Sequence, residues 1–289
     1  MLKDLIKSMR PRQWSKNIFI FAALVFDKQL FNPDSFLRTL AGFALFCLIS
    51  SSVYIFNDLA DVEADRQHPE KKNRPIASGA LSSRIAWLAG VLLLLISLGL
   101  GYFLAPSFAW VLALYFLLNL AYSKWLKHVP ILDVLMLAAG FVLRVHAGVT
   151  LIAVERFSPW LYVVMTLLSL FLGFGKRRAE MALLAHNAGA HREALKGYTI
   201  SLLDQYILIV SGTTIVAYSL YTFSAPNVPA NHSMMLTIPF VVYTIFRYLY
   251  LIQVEQAGGE PEDILLSDRP FQIALLLWGL TVLVVFYLS

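Results

Sequence analysis

The chain has 289 residues, 58% of them apolar and only 14% charged, with 23 Lys and Arg against 18 Asp and Glu for a net charge of +5. Soluble folds carry about 25% charged residues because their surface must be wetted. This composition therefore excludes a disordered chain, a soluble two-domain enzyme and a nucleic-acid binder built on a densely basic surface. It describes a polytopic membrane protein. The single cysteine, Cys47, lies in an apolar run, so neither an intrachain disulfide nor a cysteine metal site is available.

At the N-terminus, Leu2, Leu5, Ile6 and Met9 fall at helical spacing opposite Lys3 and Lys7. That predicts an interfacial helix within residues 1–16, ended by Pro11. The same stretch holds five basic residues and no apolar h-region, which argues against a cleavable signal peptide. A hydrocarbon core about 30 Å thick requires roughly 17–25 apolar residues per helix. Nine spans are read on that basis: 17–31, 36–56, 84–105, 107–123, 131–150, 158–175, 199–223, 234–252 and 271–288. Asp27 and Lys28 interrupt the first, and Ala105-Pro106-Ser107 makes the junction between the third and fourth tight.

Basic residues set the sidedness. With the N-terminus in the cytoplasm, 18 of the 23 Lys and Arg fall on the inner side. Lys28, Arg38 and Arg156 fall outside, and Arg144 and Arg247 lie within spans. The C-terminus is then on the outer side of a cytoplasmic (inner) membrane. Trp14, Trp87, Trp110, Trp125 and Trp160 sit near span ends, as an aromatic belt requires. Long inner connections at 57–83, 176–198 and 253–270 are where a site is expected, the first two forming a polar cap.

The most specific feature follows the second span. If that helix continues, Asn57, Asp61 and Asp65 lie at i, i+4 and i+8 on one face, with Asp58 beside it and Glu63 pointing away. Carboxylates stacked this way repel, and a divalent cation relieves them. Mg²⁺ takes one or two carboxylates plus phosphate oxygens, so the segment reads as a cradle for Mg²⁺ and a diphosphate. Lys71 and Arg74 follow, suited to outer phosphate oxygens. Pro75 and Gly79 shape the loop, Ser82 is the expected N-cap of the third span, and His68 is read as a structural loop residue.

These residues resemble a family. Asn57xxxAsp61xxxAsp65, with Arg74-Pro75 and Gly79 between spans two and three, is similar to the UbiA superfamily of intramembrane prenyltransferases. The stretches Arg10-Pro11-Arg12-Gln13-Trp14-Ser15-Lys16-Asn17, His68 to Gly79, Phe174 to Glu180, and Leu265 to Pro270 resemble its decaprenyl-phosphate phosphoribosyltransferase branch. The resemblance implies an all-α integral membrane fold, a single domain of nine helices around a central cavity open to the cytoplasmic face. It implies a Mg²⁺-dependent transfer of a phosphoribosyl group from phosphoribosyl diphosphate to a polyprenyl phosphate, with no nucleic acid involved; a homo-oligomer is compatible with it. The alternative is transfer of a prenyl group from a prenyl diphosphate to an aromatic or lipid acceptor.

Prenyl-transferring members carry a second DxxxD-type motif after span six, whereas this chain has Lys176-Arg177-Arg178-Ala179-Glu180. A phosphoribosyl donor and a phosphate acceptor together present three anionic groups, which call for fixed cations. Lys16, Lys71, Arg74, Lys176, Arg177 and Arg178 are the expected supply, with Glu180 beside them. Tyr122 and Lys127 enter as substrate-binding candidates on the resemblance alone. Within the spans, Asp204 and Arg247 are expected to pair, and Arg144 and His146 mark a polar pocket.

Overall fold

The computed structural model describes residues 1–69, 71–154, 158–186, 195, 197–255 and 261–288; side chains are described at these positions except 183–186 and 261–263. Glu70, Arg156, Arg192 and Lys196 lie outside the described residues. Among the described residues there are only helices and connections. Among the described residues, eight helices are long and apolar enough to cross a membrane. The chain divides into two compact units, one of residues 1–25, 29–124 and 143–154, the other of residues 26–28, 125–142 and 155–289.

The first unit begins with α1 (Leu2–Met9), a 3₁₀ helix (Pro11–Phe21) and α2 (Ala22–Phe26). The interfacial helix is thus confined to residues 2–9, and Arg10 ends it in the left-handed conformation at φ 52°. The first of the nine expected spans, 17–31, is α-helical only over Ala22–Phe26, and its first five residues belong to the 3₁₀ helix. Its three residues per turn put Trp14, Asn17 and Ile20 in one row facing the protein, with Asn17 and Ile20 fully buried. Arg12, Ser15 and Ile18 form the exposed row. The fit is tight, since a Cβ at Gly148 would run into the carbonyl oxygen of Ile20.

Next come α3 (Pro33–Ala60), α4 (Val62–Gln67), α5 (Ser83–Leu104) and α6 (Pro106–Lys124). Ser82 caps α5 as expected, accepting the Ile85 N–H at 3.4 Å. The tight junction is a single extended residue, Ala105, with Pro106 opening the next helix where its missing N–H costs nothing. The Arg38 guanidinium donates to the Leu104 and Leu151 carbonyls at 2.9 and 3.0 Å, closing backbone groups left open at helix ends. α5 turns Ala86, Gly90, Ser97 and Gly101 inward and Leu88, Leu92 and Leu95 outward. Small residues on the packed face and leucines on the other are what helix association in lipid favours.

Arg144, near the end of α7 (Leu132–Val149), is buried in this unit. Its guanidinium donates to Asn17 Oδ1 and the Tyr115 hydroxyl, both at 2.9 Å, and lies over the Tyr115 ring. Asn17 in turn donates to Cys47 Sγ and Ser50 Oγ. Of the two residues read as marking a polar pocket, Arg144 lies in a buried polar network that holds the 3₁₀ segment in place. His146 is exposed.

The second unit contains the start of α7, α8 (Pro159–His186), α9 (Ile200–Ser224), α10 (Ile238–Gln253), α11 (Pro261–Ser267) and α12 (Arg269–Tyr287). Its core gathers Val134, Phe171, Phe174, Leu203, Ile207 and Tyr248. α8 runs eleven residues past the expected span end at 175, so residues 176–186 are helix, not loop. The expected Asp204–Arg247 pair is not formed. Asp204 accepts from Arg178 at 2.7 Å, and Arg247 donates to both Asp268 oxygens at 3.2 and 2.7 Å. Each charge has another partner at hand: α8, packed along α9, brings Arg178 to Asp204, and the turn before α12 brings Asp268 to Arg247.

Candidate active site

The acidic segment forms where α3 ends. Asp61 donates its N–H to the Asn57 carbonyl at 3.0 Å and Asp65 to the Asp61 carbonyl at 2.8 Å. The i, i+4, i+8 row therefore persists although Asp61 itself separates α3 from α4. Asp58 and Asp65 are buried, while Asn57 and Asp61 are partly exposed. The two buried carboxylates share one cation: Arg74 Nη1 reaches Asp58 at 3.1 Å and Asp65 at 2.6 Å.

The loop after α4 is built to deliver Arg74. A 3₁₀ turn at Lys71–Asn73 precedes it, and Ile76 and Leu81 are buried against Ile55 and Ala86. Gly79 sits at φ 80°, which glycine alone adopts without a Cβ penalty. Arg66 donates to the Ala77 carbonyl, and His68 Nδ1 accepts the Lys71 N–H at 3.3 Å, the structural role read for it. Lys71 itself is exposed.

Arg10 also belongs to this cluster. It donates to Asp58 Oδ1 at 2.5 Å and lies over the Tyr54 ring. In the sequence, one of five basic residues near Pro11 gives no sign of which helix it meets. Lys16, on the 3₁₀ segment, and Tyr122, near the end of α6, are partly buried in the same unit.

The remaining candidates lie in the second unit. Arg177 on α8 is fully buried, donating to Asp133 Oδ2 at 2.6 Å and Glu180 Oε2 at 2.7 Å. The other Asp133 oxygen accepts the Tyr198 hydroxyl at 2.8 Å, and that hydroxyl accepts the Ile131 N–H. Burial, reinforced by the bond to Asp133, pushes the Tyr198 phenol above its ordinary range. Ile131 is held at φ 71°, a strained setting for a β-branched residue. Arg178 is divided between Asp204 and the Ile252 carbonyl. Lys176 and Lys127 are partly buried. Arg177 and Arg178 are thus engaged within their own unit rather than presented as bare cations.

Long apolar helices, one of them ending in an oxygen-rich cluster neutralised by arginine, define a multi-pass membrane protein. The chain belongs to the UbiA prenyltransferase family, whose sequence profile matches residues 17–258. It is 36% identical over 307 residues, covering all of this chain and 94% of the other, to the decaprenyl-phosphate phosphoribosyltransferase of Mycolicibacterium smegmatis. It is 33% identical to the enzyme of the same name from Corynebacterium glutamicum, over 98% of this chain and 87% of that one. The fold is that of a UbiA homologue from Archaeoglobus fulgidus bound to GPP and Mg²⁺, with a TM-score of 0.73, 19% identity, and coverage of 98% of this chain and 99% of that one.

Proposed function

We propose that the chain moves a 5-phosphoribosyl group from phosphoribosyl diphosphate to a polyprenyl phosphate. The observation that carries this is the full-length likeness to two phosphoribosyltransferases. The presence of Lys176-Arg177-Arg178 where prenyl-transferring members have a second carboxylate pair supports it. An acceptor phosphate oxygen forms a bond to C1 of the ribose as the bond from C1 to the diphosphate oxygen breaks. The bonding pair leaves with pyrophosphate.

The residues fit a Mg²⁺ ion by donor type, since Asn57, Asp58, Asp61 and Asp65 offer only hard oxygens. Among the described residues no three His, Cys, Asp or Glu side chains converge on one point. A cation that takes one or two carboxylates and completes its shell with phosphate oxygens requires no such convergence. When bound, Mg²⁺ neutralises charge on the departing diphosphate. Asp61 and Asp65 would hold it with Asn57 and Asp58, while Arg74, Lys71 and Lys16 bind phosphate oxygens. The acceptor phosphate is ionised at neutral pH, its second pKa being about 6, so no general base is required. Catalysis then rests on positioning and charge. Lys127, Tyr122, Lys176 and Glu180 are assigned to substrate binding, and Arg177 and Arg178 act there by fixing α8. The inner membrane is the proposed location, with the N-terminus cytoplasmic and the C-terminus outside.

Purified protein supplied with Mg²⁺, phosphoribosyl diphosphate and polyprenyl phosphate should release pyrophosphate and form a phosphoribosylated lipid. Consumption of a prenyl diphosphate with an aromatic acceptor, and none of phosphoribosyl diphosphate, would establish the prenyl-transfer alternative instead.

A further inference from the structure

Asp58 and Asp65 are supplied with positive charge by the protein itself. Their side chains are 3% and 4% exposed, whereas Arg10 and Arg74, which hold them, are 31% and 27% exposed. Each arginine side chain is thus partly exposed while its guanidinium group rests on the carboxylates. An anion reaches the arginines directly; a cation reaches these two carboxylates only by displacing them.

Arg10 is brought to Asp58 by considerable local structure. It adopts the left-handed conformation, a costly one for a residue with a Cβ. α1 is anchored on both sides of this contact. Leu5 and Met9 pack against Ile55, Ile76, Leu81 and Ala86, Ser51 donates to the Met9 carbonyl at 3.0 Å, and Lys7 donates to the Asn73 carbonyl at 3.4 Å.

We propose that Arg10 and Arg74 lock the acidic segment, so that a divalent cation and a diphosphate bind together, each weakly without the other. This rests on the reading of a diphosphate donor given above. A cation alone, to take Asp58 and Asp65 as well as the partly exposed Asp61, must evict two guanidinium groups and leave them without counter-charge. A diphosphate alone must compete with two buried carboxylates for the same arginines. Arriving together, they exchange partners: the cation takes carboxylate oxygens and the phosphate oxygens take the guanidinium groups. Arg10 becomes a diphosphate-binding residue contributed by the N-terminal helix.

The test is Mn²⁺ binding to the full chain in detergent, followed by electron paramagnetic resonance with and without inorganic pyrophosphate, against protein-free samples that account for the soluble Mn²⁺–pyrophosphate complex. Wild type should bind Mn²⁺ about tenfold or more tightly with pyrophosphate, within the usual span of coupling between sites. Arg10→Gln should bind Mn²⁺ more tightly in the absence of pyrophosphate and lose most of the enhancement. Should that variant fail to fold, Arg10→Lys, which keeps the charge with fewer donors, should shift both readings the same way by less. Equal Mn²⁺ affinity with and without pyrophosphate in wild type overturns the proposal, as does an unchanged enhancement in a folded Arg10 variant. Pyrophosphate is common to phosphoribosyl and prenyl donors, so the two readings fail separately. Absent turnover with phosphoribosyl diphosphate defeats the transferase assignment alone, and normal turnover without linkage defeats the lock alone.

Discussion

Asp61 is partly exposed between two carboxylates that are buried and held by arginine. Its replacement should therefore harm chemistry more than folding. Asp61→Asn is expected to lower pyrophosphate release about 100-fold or more, beyond the loss typical of groups that only orient a metal ligand, with an unchanged melting temperature. Asp133 is the opposite case. It is fully buried and joins Arg177 to Tyr198, so Asp133→Asn leaves a buried guanidinium with Glu180 as its carboxylate partner in this cluster. Breaking a buried pair costs about 3–5 kcal/mol. The loss here should fall near the lower end, measured by reversible unfolding in mixed micelles. The acidic row from Asn57 to Asp65 was legible because a helix repeats its face every four residues. The Asp133–Arg177 contact was not, because 44 residues separate the partners and hydropathy says nothing about which helices adjoin.

Apolar runs disclosed the helices, since backbone in lipid must satisfy its own hydrogen bonds. Their ends were harder. α8 continues through Lys176–Glu180 because its charged side chains find partners along and beside the helix, which a scale of hydrophobicity counts as termination. α12 shows how one residue can serve two elements. Asp268 caps it, accepting the Phe271 N–H at 2.8 Å, and also receives Arg247 from α10. The bond from Arg247 holds the Asp268 carboxyl below the usual carboxylate range. An unfolded Asp titrates near about 4. The pair's contribution to stability is therefore whole above that pH and disappears as pH falls through the lower folded value. Asp268→Asn keeps the cap but loses the charge. The gap in melting temperature between wild type and this variant should be constant from pH 7 to about 5 and close in stronger acid.

At the scale of the molecule, the eight long helices among the described residues leave the parity of crossings to the segment before α3. A 3₁₀ helix rises about 2.0 Å per residue and an α-helix about 1.5 Å. Residues 11–26 thus extend about 30 Å, the thickness of the hydrocarbon core. A crossing there makes nine, and a C-terminal alkaline phosphatase fusion should be active while a fluorescent-protein fusion stays dark; the reverse result would return the segment to the inner surface. Hydrophobic periodicity read at 3.6 residues per turn blurs this stretch, because Trp14, Asn17 and Ile20 repeat every three. A threefold screw also has its own arithmetic of phase. Lengthening the segment by three residues slides it without turning it, while adding one swings every later side chain by about 120°. Lys16 and Asn17 are thereby locked to a count of threes, and related chains that differ in length here can keep the same face only by whole turns.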